Sequence, residues 1–186
     1  MIPDSVPPKR FSLKPFPGER NPADAAIGGT IARTGDLLSV RFEIRGNLAL
    51  LSIPPPSESP ERRDRLWETT CLELFAGTAE TEGYLECNLS PSGHWNVYRF
   101  ARYREGMARE DAIPSLPFQV RNARNTIRIS LDLAIGRVVP PGKTLQIGAA
   151  AVLRAADGGI SRWALAHPRP VPDFHDRNGF VLTLLP

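Results

Sequence analysis

Leu38-Ser39-Val40-Arg41-Phe42-Glu43-Ile44-Arg45 puts a large apolar side chain at every second position and a polar one between each pair. Successive side chains of a strand point to opposite faces. The spacing therefore predicts a strand with Leu38, Val40, Phe42 and Ile44 inward. Working outward, Gly28 to Arg33 reads as the preceding strand, with Thr34-Gly35-Asp36 as the turn between them. Leu48 to Ile53 reads as a following apolar strand, stopped by Pro54-Pro55-Pro56. Further strands are expected at 71–75, 84–90, 95–103, 118–123, 126–133, 144–153, 161–165 and 180–184, with one more near 10–13. Only the stretch 104–111 offers a short amphipathic helix. About ten short strands separated by turn residues predict an all-β protein built as a β-sandwich.

The 186 residues suffice for one domain with a sizeable core and are short for two, and 19 prolines with 15 glycines argue for short elements joined by turns. Residues 1–24, rich in proline and charge, read as an extended N-terminal arm, and 25–186 as the single sandwich domain. The 23 basic and 20 acidic residues are spread along the chain without a basic stripe, so no nucleic-acid partner is expected. No apolar run reaches membrane-spanning length, and the first ten residues carry prolines and charges where a secretory signal has its apolar centre. A cytoplasmic protein without a membrane partner is the expectation. Alternation puts Cys71 and Cys87 on opposite sheet faces, which predicts two thiols instead of a bridge.

A second pair of strands carries the functional signal. In Cys71-Leu72-Glu73-Leu74-Phe75 and Tyr84-Leu85-Glu86-Cys87-Asn88-Leu89-Ser90, the aliphatic residues share one face, and Glu73, Glu86 and Asn88 share the other if the strands pair antiparallel. Trp67 precedes the first of these strands, Trp95 begins the next hairpin after Ser90-Pro91-Ser92-Gly93, and Trp163 lies near the C-terminus; Trp95 is assigned to the core. Aromatic rings beside carboxylates and amides are the ordinary physics of a saccharide site, with rings against C–H faces and polar groups on hydroxyls. The competing reading of the same face is a plain solvated outer surface.

Other chemistries find less support. Glu73 and Glu86 could act as a glycosidase acid and base, which requires a cleft, a raised pKa and a defined separation. The segment from His167 to His175 offers imidazoles and a carboxylate, and Asp173, His175 and Asp176 are weak candidates for a metal such as calcium. A haem would need His167, His175 or Met107 as axial ligand. Gly136 to Thr144 imitates a phosphate loop, but five residues separate its glycines, two of them prolines, and a strand follows. It reads as a turn.

The motifs Leu66-Trp67-Glu68-Thr69-Thr70-Cys71-Leu72-Glu73-Leu74-Phe75, Tyr84 to Trp95, Tyr103-Arg104-Glu105-Gly106-Met107, Arg162 to Pro168 and Pro172-Asp173-Phe174-His175 resemble the bacterial DOMON-like proteins, a group similar to family 9 carbohydrate-binding modules. The resemblance runs from about Arg10 to the C-terminus. It implies a sandwich of immunoglobulin-like or jelly-roll type that binds a ligand without transforming it, a sugar or, as the alternative, haem. By motif position it implies that Trp67 and Trp163 clamp a sugar and that Glu73 accepts from a hydroxyl. The expectation is a non-catalytic module for a small sugar or glycoconjugate, needing no cofactor, with Trp67, Glu73, Glu86, Asn88, Trp163 and His167 at the site.

Overall fold

The computed structural model describes residues 7–186. In chain order its strands are β1 (Lys9–Ser12), β2 (Lys14–Pro15), β3 (Ala26–Thr34), β4 (Leu37–Arg45), β5 (Cys71–Thr78), β6 (Tyr84–Leu89), β7 (Trp95–Phe100), β8 (Ala108–Arg109), β9 (Phe118–Ala123), β10 (Thr126–Ala134), β11 (Leu145–Arg154), β12 (Ile160–Ala164) and β13 (Leu182–Leu184). They form two antiparallel sheets. One runs β1-β3-β4-β10-β9 and the other β2-β12-β11-β5-β6-β7-β8, with β13 paired to the opening residues of β11. Helical structure among the described residues is limited to four short 3-10 turns.

The alternation of β4 holds: Leu38, Val40, Phe42 and Ile44 are buried, and β10 answers with Ile127, Ile129, Leu131 and Leu133. Facing them across the sandwich are Leu72, Leu74 and Ala76 of β5, Leu85, Cys87 and Leu89 of β6, and Leu145, Ile147, Ala149, Ala151 and Leu153 of β11. This inter-sheet layer is the core, each large side chain contributing roughly 1.5–3 kcal/mol by leaving water. The outer face of the second sheet is not the solvated surface that alternation alone allows. Every residue of β5 and β6 is buried, so their second face lies under other parts of the chain.

Three expectations are corrected. Residues 7–24 are extended but do not stand apart from the domain: β1 belongs to one sheet, β2 to the other, and Phe11, Leu13 and Ala23 are in the core. The first six residues of the expected arm lie outside the described residues. Leu48 to Ile53 is a 3-10 turn over Leu48–Leu50 followed by a single bridge from Leu51 to Ala155. Its apolar run lacks alternation, and the amides of Leu50 and Leu51 bond back to Asn47 and Leu48 instead of crossing to a neighbour. The stretch 104–111 forms no helix, because Arg104 (φ 54°) and Gly106 (φ 67°) both adopt left-handed backbone there, and the chain turns into the edge strand β8.

Candidate binding pocket on the outer face of the second sheet

Register builds the site. Glu73 lies opposite Asn88 on one side and Ala150 on the other; Asn88 faces Asn96, and Ala150 faces Ala164. A row of Ala164, Ala150, Glu73, Asn88 and Asn96 thus crosses five strands. Glu86 sits one row further along, between Phe75 and Tyr98. The methyl-sized side chains beside Glu73 leave room above the sheet, and a pocket of about 540 Å³ opens there. Trp67, Phe100 and Phe174 supply aromatic walls, Glu73, Glu86 and His175 polar ones, and Arg104, Arg154 and Arg162 cationic ones.

Glu73 is only 3 % exposed, and its carboxyl group has no hydrogen-bond partner among the described residues. Burial pushes its pKa well above the usual carboxylate range, and the charge of Glu86 adds to the rise while Arg104 opposes it. Glu86 also titrates high because it is buried, although the amide of Asn88 donates to its Oε1 at 2.7 Å and Arg104 pulls the other way. Two carboxyl groups on adjacent strands in a poorly hydrated site cannot both ionise cheaply. Each is therefore harder to ionise than a carboxyl group in water. Burial likewise raises both thiols, Cys71 on this face and Cys87 in the core, where its pKa reaches about 12.

His175 is held neutral. Its ring packs edge-on against Phe75 and Phe100, with centroids 5.5 and 5.0 Å away. Burial lowers its pKa from 6.5 to about 4, Arg104 lowering it further and Asp173 opposing. The Tyr84 hydroxyl accepts the Arg104 backbone N–H at 3.2 Å and lies 2.8 Å from His175 Nδ1. The phenol and Nδ1 thus share one hydrogen bond, and the other ring nitrogen, Nε2, faces Glu86 Oε2 at 3.7 Å. That approach joins a neutral imidazole to a carboxyl group and is not an ion pair.

Two anchors hold the loop that roofs the pocket. Asp173 accepts from the Tyr103 hydroxyl at 2.6 Å, from the Arg104 guanidinium at 2.9 Å and from the His175 backbone N–H at 3.1 Å. Burial would raise the pKa of Asp173, but the Tyr103 and Arg104 hydrogen bonds outweigh it and hold it low. Further on, Arg177 donates to the carbonyls of Thr78, Thr81, Glu82 and Gly83 and to the Gln146 side chain, pinning the loop to the β5–β6 turn.

The structure brings Trp67, Glu73 and Glu86 to this pocket. Trp67 stands on the 3-10 turn Leu66–Glu68, edge-on to Tyr98 at 5.9 Å. Asn88 is fully buried in the floor, and it acts by holding Glu86. Trp163 is a correction. In β12, Arg162 lines the pocket, whereas Trp163 turns into the core at 3 % exposure and donates its Nε1–H to Ser161 Oγ at 2.7 Å. It cannot form a clamp with Trp67, which stands on the other face of the sheet. His167 is also elsewhere, its Nε2 2.9 Å from the Lys14 carbonyl and its ring against Phe16. Trp95 is buried in the core as expected.

Asp173, His175 and Asp176 do not converge on a metal position. Asp173 is engaged as above, while Asp176 pairs with Arg169 and accepts from the backbone and side chain of Asn178. No group of three or more His, Cys, Asp or Glu side chains among the described residues could hold a metal ion. Phe174, Arg104 and Phe100, which line the pocket, and Tyr84, which holds His175, were not named as site residues from the sequence. The strand period already put Tyr84 on the Glu86 face, but loop positions such as Phe174 have no period to read.

A larger concavity, about 1200 Å³, lies over the outer face of the five-stranded sheet. Glu43 is bonded there to Arg45 and Arg128 and Asp132 accepts from Ser39, while Arg10, Arg41 and Arg121 line the same surface without an acidic partner among the described residues. It is a broad polar surface without a buried, partnerless group.

No protein-family model and no curated protein matches the chain. Solved structures do. A candidate carbohydrate-binding protein from Bacteroides uniformis ATCC 8492 superposes with a TM-score of 0.70 at 14 % identity, over 96 % of this chain and 86 % of that one. A family 9 carbohydrate-binding module from Caldicellulosiruptor kristjanssonii, solved with cellotriose, superposes with a TM-score of 0.55 at 9 % identity, over 85 % and 72 % of the two chains. What they share with this chain is the fold. At such identities the likeness establishes the β-sandwich, and the contents of the pocket have to speak for its ligand.

Proposed function

We propose that the chain is a non-catalytic binding module for a small saccharide or glycoconjugate, held in the pocket between Trp67 and Phe174. The observation that carries this reading is Glu73, a buried carboxyl group without a protein partner at the base of an aromatic-walled pocket. A carboxyl group that has no protein partner and opens into the pocket is available to a ligand hydroxyl, and ring faces match the C–H faces of a sugar. The sandwich shared with a module solved with cellotriose agrees with the reading, as does the resemblance to DOMON-like proteins.

Binding fits better than hydrolysis. Glu73 and Glu86 rise from neighbouring strands of one floor and would meet a sugar from the same side, whereas glycoside hydrolysis places its two carboxyl groups on either side of the scissile bond. Haem is the poorer match to the donors. His167 lies outside the pocket, His175 has Nδ1 on Tyr84 and Nε2 toward the Glu86 carboxyl group, and the half-exposed Met107 is left as the one candidate ligand in the lining without a protein partner among the described residues.

Calorimetry and tryptophan fluorescence against a panel of neutral mono- and oligosaccharides test the proposal. Saturable binding is expected, weakened about threefold to tenfold in Trp67→Ala by loss of a stacking contact of roughly 0.5–1.5 kcal/mol. A full panel without response refutes it.

A further inference from the structure

We propose that the saccharide carries a primary amine, bound as an ammonium group between the Glu73 and Glu86 carboxyl groups and beside the Trp67 ring. This rests on the saccharide reading and adds the charge that the ligand brings.

The cations lining the pocket are already engaged. Arg104 is bonded to Asp173, and Arg162 to the Glu19 carboxylate. Arg154 donates to the carbonyls of Glu68 and Gly158. None of the three hydrogen-bonds Glu73 or Glu86. Among the other titratable groups near the pair, Cys71 and Tyr84 are neutral and His175 faces Glu86 as a neutral ring, so the positive charge that reaches both carboxyl groups is that of Arg104, already paired with Asp173. The floor therefore presents two carboxyl groups, one of them 3 % exposed and partnerless, to a cavity walled by Trp67, Phe100 and Phe174 and by three guanidinium groups that have other acceptors.

A sugar hydroxyl can donate one hydrogen to this floor. An ammonium group donates three, reaches an oxygen of each acid, and supplies the positive charge that lets both ionise. Indole and phenyl faces add an attraction that a hydroxyl does not receive. Binding should then expel a proton from the two carboxyl groups, whose pKa values are raised when the pocket is empty. The affinity should rise with pH as the pair becomes easier to ionise, and fall again once the amine loses its own proton.

The test is calorimetry of the full chain with β-1,4-linked glucosamine oligomers, N-acetylglucosamine oligomers and glucose oligomers of equal length, in two buffers of different ionisation enthalpy. The amine-bearing oligomer is expected to bind at least tenfold more tightly than the other two, with a buffer-dependent heat that reports release of about one proton. Glu73→Gln, whose fold is checked by thermal melting, is expected to lose both the preference and the proton release. Glu86→Gln serves as the second variant and should do the same. Equal affinity for the three oligomers overturns the amine and leaves the saccharide reading standing. An amine preference that survives in both variants also overturns the proposal, because the discrimination would lie elsewhere. Failure of all three to bind overturns the saccharide reading as well.

Discussion

Replacing His175 by Gln should remove an acid-sensitive part of the stability. Its folded pKa is about 4 against an ordinary 6.5, a depression caused first by burial and then by Arg104. Between those values the unfolded chain takes up a proton that the folded chain refuses. Stability from this residue is therefore fully present above pH 6.5 and is lost as pH falls toward about 4. Each pH unit across that window removes about 1.4 kcal/mol, so acidification from near neutrality to about pH 5 should cost the wild type about 2 kcal/mol through His175 alone. Glu73 and Glu86 act in the opposite sense, because their raised pKa values let the folded state hold more protons and gain stability on mild acidification. Comparing wild type with His175→Gln separates the two effects. Urea denaturation at neutral pH and at about pH 5, followed by tryptophan fluorescence, should show the variant losing about 2 kcal/mol less than the wild type. Parallel pH dependences in the two proteins would refute a buried neutral imidazole.

Two further outcomes test how the pocket is built. Trp163→Ala should destabilise the fold by about 3–5 kcal/mol through an inter-sheet cavity, while saccharide affinity measured in conditions where the variant is folded stays at the wild-type value. Loss of binding without loss of stability would return Trp163 to the site. Arg177→Ala should free the loop bearing Phe174 and His175 from the β5–β6 turn, weakening saccharide binding severalfold and raising amide exchange at 172–178, although Arg177 does not line the pocket. Unchanged exchange would show that Asp173 alone suffices to hold the loop.

Much of this was legible in the chain itself. The two-residue period of Leu38 to Ile44, of Cys71 to Phe75 and of Tyr84 to Ser90 is a local property of extended backbone; it separated inward from outward residues within each strand, and antiparallel pairing of β5 with β6 then put Glu73, Glu86 and Asn88 on one face. The same period could have corrected the clamp, since Ser161-Arg162-Trp163-Ala164 puts Arg162 and Trp163 on opposite faces. Motif position outweighed alternation there, and alternation was right. The failures at 48–53 and 104–111 share a cause. Both are short runs whose conformation follows from where their amides find partners and from left-handed residues such as Arg104, neither of which leaves a periodic trace.

What the sequence determined alone is therefore the two-sheet architecture and the side of each strand on which a residue falls, because backbone geometry repeats every two residues whatever lies nearby. Tertiary structure decided what covers the outer face of β5 and β6. Beside Trp67 and the strand residue Phe100, the pocket is lined by Phe174, carried there by a loop tied through Asp173 to Arg104, 69 residues away in the chain, and through Arg177 to Gly83, 94 residues away. Contacts at such separations form only when the whole sandwich has assembled. They enclose Glu73 without giving it a partner, and so turn a polar strand face into a pocket.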